Sequence, residues 1–214
     1  MKTTTIAAIV LAAAAGGAVA YLLLRTPPAP EPPPGPFAET APAQLAATLP
    51  AFQLADREGT PRSLQDWPDR SLIVNFWATW CAPCRREIPL LMQLQREHAA
   101  EGFQVIGVAA DFRDKVLAYA DEMKIDYPLL IGEQEALDAA GAFGVEAVGF
   151  PFTVFSDRQG RIVAAHLGEL HAEQAAIILA GVRRVNAGEQ TPLQARAAIE
   201  QALDALPAPV EADD

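Results

Sequence analysis

Leu72-Ile73-Val74-Asn75-Phe76-Trp77 is an apolar run typical of a buried strand, and it leads into Trp80-Cys81-Ala82-Pro83-Cys84. The residues after Pro83 have the pattern of a helix, so Cys81 falls on a strand-to-helix turn close to a helix N-terminus. The first-turn amides and the helix dipole favour a thiolate there, which lowers the pKa of the thiol. This stretch therefore predicts a nucleophilic cysteine at the end of a buried strand.

The two cysteines of this stretch are the only ones in the 214-residue chain. Cys84 lies one helical turn beyond Cys81, where the pair can close a small disulfide and open it by thiol–disulfide exchange. A purely structural disulfide would gain little stability, because the loop it closes is very short. A metal site would need further ligands, and no histidine of the sequence stands at a recognisable ligand spacing. Covalent haem attachment would need a histidine where Arg85 stands. The pattern favours a redox-active disulfide that requires no metal or other cofactor.

The residues from Asn75 to Cys84 resemble the active-site segment of thioredoxin-like proteins. They are most similar to the membrane-anchored, exported TlpA/ResA group of thiol–disulfide oxidoreductases. The resemblance extends from about Pro50 to about Val185. It implies an α/β thioredoxin-like fold that carries a β-hairpin extension at its N-terminus.

The pattern of the remaining chain agrees with that fold. Short strands near 52–54 and 62–64 would form the hairpin, and Asp157-Arg158-Gln159-Gly160 is a turn sequence that would join two later strands. Further strands are predicted at 71–77, 103–108, 152–156 and 161–165, and residues 127–131 are predicted to be a short connecting segment or a strand. Helices are predicted at about 82–100, 113–124, 134–142 and 171–186.

An extra amphipathic helix is predicted after the domain. It begins at Thr191-Pro192, an N-cap followed by proline at the first helical position. We expect it to pack on the domain, and a partner-binding helix is the alternative. Residues 207–214 are typical of a disordered acidic tail. The apolar positions of the predicted helix are Leu193, Ile199, Leu203 and Leu206.

The N-terminal segment is strongly apolar. Residues 6–24 are all apolar or small and would span roughly 28 Å as a helix, close to the thickness of a bilayer core. Ala18-Val19-Ala20 has the form of a cleavage site, but apolar residues continue past it and favour an uncleaved anchor. We therefore expect residues 1–25 to form a single transmembrane helix. The resemblance to the exported TlpA/ResA group implies that it lies in the bacterial inner membrane, with the redox domain on the periplasmic side.

A proline-rich linker is predicted next, because residues 26–44 contain eight prolines. Repeated prolines favour an extended conformation of about 3.1 Å per residue, which suits a semi-rigid spacer. The redox domain is then predicted at 45–187, and the extra helix and tail at 188–214. The formal net charge of −11 disfavours nucleic acid as a partner.

The resemblance also suggests a proton-transfer residue. Thioredoxin-like proteins commonly carry a buried aspartate where Asn75 stands, and an amide cannot accept the proton of the inner cysteine. In the ResA-like group a glutamate at the position of Glu87 is regarded as an active-site acid, and helical spacing puts it on the same face as Cys84. Burial would raise its pKa towards neutrality. The alternative is a surface glutamate paired with Arg85 or Arg86.

A second stretch, Gly149-Phe150-Pro151-Phe152-Thr153, places a proline just before a strand. In thioredoxin-like proteins this proline forms a cis peptide bond beside the disulfide, which the resemblance implies for Pro151. The backbone of Phe150 would then be open to an extended substrate segment, and an ordinary turn proline is the alternative. Together with Trp80 and Pro83, these residues are expected to shape the site and contact substrate.

The resemblance implies that Cys81 attacks a partner disulfide and that Cys84, deprotonated with help from Glu87, releases the reduced product. The expected substrates are disulfides of exported proteins, of the cytochrome c or copper-centre assembly type, and the expected electron donor is a membrane thiol reductase. One alternative is a membrane-tethered binding or holdase module with a structural disulfide. A thiol peroxidase is disfavoured, because peroxiredoxins carry threonine and proline where Ala78 and Val74 stand.

Overall fold

A mixed β-sheet forms the centre of the computed structural model, which describes residues 45–144 and 149–207. Its strands are β1 (Leu54–Ala55), β2 (Pro61–Arg62), β3 (Ser71–Trp77), β4 (Phe103–Ala110), β5 (Leu129–Gly132), β6 (Phe152–Ser156) and β7 (Ile162–Leu167). The helices of the described residues are α1 (Ala82–His98), α2 (Arg113–Met123), α3 (Gln134–Gly141), α4 (Ala172–Asn186) and α5 (Pro192–Asp204).

The strand order is β2-β1-β5-β4-β3-β6-β7. β3, β4 and β5 run parallel, whereas β1, β6 and β7 are antiparallel to their neighbours. Every residue of β3 is buried, as expected for a strand whose two faces are both covered by other elements. The predicted α/β thioredoxin-like arrangement is therefore present, and its most buried strand ends directly before the cysteines.

Side chains of β3 alternate between two cores, because successive residues of a strand point to opposite faces. Ile73 and Trp77 belong to the core that includes residues of α1, α2, α4 and α5. Val74 and Phe76 belong to the opposite core, which contains residues of α3 and the ring of Phe143. Asn75 has the same parity as Ile73 and Trp77, so its polar side chain enters the core beneath α1.

The hairpin is shorter than predicted and is shifted towards its turn. Leu54 pairs with Arg62 and Ala55 pairs with Pro61, whereas Leu64 lies in a 3₁₀ helix, Leu64–Asp66. Two interactions explain the difference. The carboxylate of Asp56 accepts the amides of Glu58 and Thr60, which closes the turn. The backbone N–H and the hydroxyl of Ser63 both donate to the carboxylate of Asp66, which starts the helical turn.

Helix α5 packs on the domain, as predicted, and Ile199 and Leu203 of the predicted apolar positions contact the core. Ala195 and Ile199 are buried, and a Cβ atom on Gly181 of α4 would lie only 2.5 Å from Ile199 Cδ1. The guanidinium of Arg196 donates to the backbone oxygen of Ile162 in β7, at 2.9 Å. The prediction that Leu193 belongs to the buried face is wrong, since this side chain is 74% exposed.

Several predictions lie outside the described residues. These are the transmembrane helix at 1–25, the linker at 26–44, the acidic tail from 208 onward and the loop residues 145–148. Among the helices of residues 45–144 and 149–207, none has the length and apolar character needed to cross a bilayer.

Candidate active site

The two cysteines form a disulfide at the start of α1, with their Cα atoms 5.3 Å apart. Cys81 is the N-cap residue of the helix, and its Sγ accepts a hydrogen bond from the backbone N–H of Cys84 at 3.3 Å. Pro83 stands in the first turn, where the N–H that proline lacks has no helical partner in any case. Cys81 retains 5% exposure and Cys84 has none, so a partner can reach only Cys81.

Glu87 lies one turn beyond Cys84, on the buried side of α1, and is only 1% exposed. Its Oε1 accepts a hydrogen bond from Asn75 Nδ2 at 2.6 Å, and its Oε2 accepts one from the backbone N–H of Leu170 at 2.8 Å. Neither Arg85 nor Arg86 supplies these bonds. The structure thus excludes the alternative of a surface glutamate.

The pKa of Glu87 is raised to about 7, chiefly because burial penalises the charged carboxylate. The hydrogen bonds from Leu170 and Asn75 act in the opposite direction, and the nearby carboxylate of Glu169 raises the pKa further. A carboxyl group with this pKa is present in both protonation states at neutral pH. It can therefore either accept or donate a proton.

Asn75 orients this carboxyl group, a role that the sequence analysis missed. Its amide donates both to Glu87 and to Thr153 Oγ1, the latter at 3.0 Å, and both partners are buried. Thr153 lies directly opposite Asn75 in the pairing of β3 with β6. The signal was present in the sequence, because a polar residue inside an apolar strand must find hydrogen-bonding partners in the core.

The peptide bond between Phe150 and Pro151 is cis, as the resemblance implied. The ring of Phe150 lies 6.1 Å from the ring of Trp80, centroid to centroid, and also stacks on Phe152. Trp80 directly precedes Cys81 and is 69% exposed. The disulfide is therefore bordered by an aromatic surface that a partner can contact.

A second polar contact fixes the loop before Cys81. Both the hydroxyl and the backbone N–H of Thr79 donate to Oδ2 of Asp111, a buried residue that follows β4. The other oxygen of Asp111 accepts the backbone N–H of Phe112 at 2.7 Å. This contact joins residues far apart in the chain, and local sequence patterns gave no sign of it.

Three features occur together: parallel strands β3, β4 and β5, a disulfide at the helix N-terminus after β3, and a cis-proline before β6. Together they define a thioredoxin-like thiol–disulfide oxidoreductase. The sequence pattern of the AhpC/TSA family matches residues 45–165, more than half of the chain. The protein belongs to this family.

Relatives of known class are also thioredoxin-like or thiol–disulfide oxidoreductases. The thiol-disulfide oxidoreductase ResA of Bacillus anthracis is 29% identical over 141 residues, which are 65% of this chain and 79% of that protein. The thioredoxin-like protein YneN of Bacillus subtilis is 34% identical over 131 residues, which are 59% of this chain and 74% of that protein. These relatives confirm the resemblance to ResA-like proteins, and the chain is a ResA-like thiol–disulfide oxidoreductase.

Solved structures of similar fold lead to the same class. A candidate DsbE-type thiol:disulfide interchange protein from Chlorobium tepidum superposes with a TM-score of 0.58 and 26% identity, covering 65% of this chain and 98% of that one. A secreted thiol-disulfide isomerase from Corynebacterium glutamicum gives a TM-score of 0.55 and 30% identity, covering 59% of this chain and 80% of that one.

Proposed function

We propose that this protein reduces disulfides of exported proteins, with Cys81 as the attacking thiolate, Cys84 as the resolving thiol and Glu87 as the proton acceptor for Cys84. The observation that carries the proposal is the buried carboxyl group of Glu87, which lies one helical turn from the inaccessible Cys84 and has a pKa near neutrality.

The different burial of the two cysteines supports their assignment. Cys81 retains some exposure and occupies the N-cap, where the helix dipole and the N–H of Cys84 favour negative charge on sulfur. Cys84 is fully buried, and burial disfavours its thiolate. Cys81 is therefore suited to attack a partner, whereas Cys84 needs a base before it can react.

The reaction balances with these three residues. The Cys81 thiolate attacks one sulfur of the partner disulfide, the partner S–S bond breaks, and the partner's second sulfur leaves as a thiolate that takes a proton from solvent. Cys84 then gives its proton to Glu87 and attacks Cys81 Sγ, which breaks the mixed disulfide and displaces the first partner sulfur as a thiolate that takes a proton from solvent. Two electrons pass to the partner, and Cys81 and Cys84 are left as the observed disulfide.

The aromatic surface supports a protein partner. Trp80 is mostly exposed beside Cys81, and the half-buried ring of Phe150 lies next to it. An extended segment lying along the backbone at Phe150 could pair with it as an added strand. No further cofactor is proposed, because the cysteine pair itself carries the electrons.

The proposed location rests on the sequence outside the described residues. The apolar run at 6–24 supports a single anchor in the inner membrane, and the proline-rich segment supports a spacer that presents the domain on the periplasmic side. A membrane thiol reductase would return electrons to the Cys81–Cys84 pair after each turnover. Proteins of cytochrome c or copper-centre assembly are the proposed substrates.

Changing Cys84 to serine is expected to trap partners on Cys81, because the mixed disulfide forms but the resolving thiol is missing. Cells that produce the full-length variant should be quenched with acid, alkylated and examined on non-reducing gels. We expect discrete higher-mass species that contain this protein and disappear on reduction.

The matched control replaces both cysteines with serine, which should abolish the trapped species. If the Cys84→Ser variant traps nothing above the level of this control, exchange with protein partners is contradicted. If the double variant instead retains the biological activity, the holdase alternative is supported.

A further inference from the structure

We infer that Glu169 and Arg86 act as positioning residues that set the charge state of Glu87 from the protein surface. This inference rests on the proposed role of Glu87 for its functional meaning. The effect that we infer is on the protonation of the Glu87 carboxyl group, whatever that group does in the reaction.

Two successive residues of α1 contact two successive residues of the loop after β7. Glu87 accepts the backbone N–H of Leu170, and the adjacent Arg86 donates through Nε and Nη2 to Glu169 Oε2, at 2.9 and 2.6 Å. The first contact is buried, whereas the side chain of Arg86 is 59% exposed and that of Glu169 is 19% exposed. The loop therefore connects a buried acid to an ion pair that solvent can reach.

The two charges of the pair should act on Glu87 in opposite directions. The carboxylate of Glu169 repels negative charge on Glu87 and raises its pKa. The guanidinium of Arg86 partly neutralises Glu169 and so limits this effect. Because the ion pair is partly exposed, water screens its charges. Each charge should therefore shift the pKa of Glu87 by less than a fully buried charge would.

Other titratable groups stand on the elements around Glu87. Burial raises the pKa of Tyr127, which therefore stays protonated, and Cys84 cannot titrate while it is in the disulfide. Nε2 of His166, in β7, lies 3.1 Å from the backbone oxygen of Glu169, and burial lowers the pKa of this ring. His171 follows Leu170 at the start of α4. Arg85 lies over the ring of Tyr119.

The test is a direct titration of Glu87 in the oxidised, full-length protein. Carboxyl ¹³C signals of labelled glutamate are followed against pH, and the Glu87 signal is assigned by its loss in a Glu87→Gln variant. Glu169→Gln keeps the shape of the side chain and its ability to bond Arg86, but removes the charge. We expect it to lower the Glu87 midpoint by roughly 0.5 pH units.

Arg86→Gln should shift the midpoint upward, because Glu169 is then not neutralised. The double variant Arg86→Gln, Glu169→Gln should fall between Glu169→Gln and the unmodified protein. His166→Gln, a control in the adjacent strand β7, should leave the midpoint within about 0.2 pH units of its original value, since it keeps the charges of Arg86 and Glu169 in place.

The direction of the Glu169→Gln shift decides the question. If the Arg86–Glu169 pair acted only by holding the loop, the weaker bond of Arg86 to a neutral glutamine would loosen the loop. The Leu170 N–H bond to the Glu87 carboxylate would then be lost and the midpoint would rise instead. An upward shift, or none, overturns the inference. The titration requires no substrate and no free thiol, so its outcome is independent of the proposed function. If the midpoints shift as expected but Glu87→Gln leaves the attack of Cys84 on the mixed disulfide unchanged, the proposed role of Glu87 is contradicted and the inference stands.

Discussion

Glu87→Gln is expected to slow the attack of Cys84 on the mixed disulfide about a hundredfold at pH 7, the lower end of typical general-base contributions. The glutamine keeps the size of the side chain and can still accept the hydrogen bond from Asn75, but it cannot take a proton. Cys84 is fully buried, so solvent is a poor substitute for the missing base.

The two chemical steps can be measured separately in the reduced, full-length protein. An excess of an aromatic disulfide whose thiol product absorbs visible light gives one equivalent of product when Cys81 attacks. A second equivalent appears when Cys84 displaces the aromatic thiol from Cys81. Glu87→Gln should slow the second phase and leave the rate of the first within about twofold of the unmodified protein.

The pH dependence gives the sign of the effect. Only the carboxylate form of Glu87 can accept a proton, and its pKa is about 7. The second phase should therefore accelerate as pH rises through 7 in the unmodified protein. In Glu87→Gln this rise should move to the range in which the thiol itself ionises, above roughly pH 8.

The matched control is Glu97→Gln, which changes an exposed glutamate on the same helix. It should leave both phases unaltered. A Glu87→Gln variant whose second phase keeps its rate and its pH profile would contradict the assignment of Glu87 as the proton acceptor.

Ile199→Ala is expected to lower the free energy of unfolding by about 2–4 kcal/mol, because it leaves a cavity between α5 and α4. Ile199 is 2% exposed, and its side chain occupies the space above Gly181. Urea unfolding followed by circular dichroism measures the change, and the slope against urea concentration shows whether α5 unfolds together with the domain.

The control is Leu193→Ala on the same helix, where the side chain is mostly exposed. It should change the unfolding free energy by less than about 0.5 kcal/mol. If Ile199→Ala also has no effect, α5 is not an integral part of the fold, and the partner-binding alternative gains support.

The central elements were predictable because their sequence signals are local and strong. β3 is a continuous apolar run, and the predicted strand at 71–77 has the observed limits. Helix α1 was predicted to reach about residue 100, but it ends at His98 and a 3₁₀ turn follows. Gly102 in the left-handed conformation closes that turn, and such end effects are not resolved by apolar spacing.

The site was only partly predictable, because its cysteines are local in sequence whereas the partners of Glu87 are not. The helix spacing placed Glu87 beside Cys84, and the structure shows its side chain buried. The N–H of Leu170 comes from a loop 83 residues away, and Thr153 meets Asn75 only through the register of β3 with β6. Such contacts depend on the tertiary fold, which apolar periodicity does not encode at the level of single hydrogen bonds.

The reduction potential of the Cys81–Cys84 pair tests the central claim most directly. The full-length protein is equilibrated with known ratios of reduced and oxidised dithiothreitol or glutathione, and the oxidised fraction is measured after acid quenching. A shift of about 30 mV changes the equilibrium tenfold, so the direction of electron flow is well resolved. We expect a value near the thioredoxin range, roughly −270 mV, as suits a reductase. A value near −120 mV would make the protein a disulfide donor, and a pair that cannot be reduced without unfolding would make its disulfide structural; either result would contradict the proposed function.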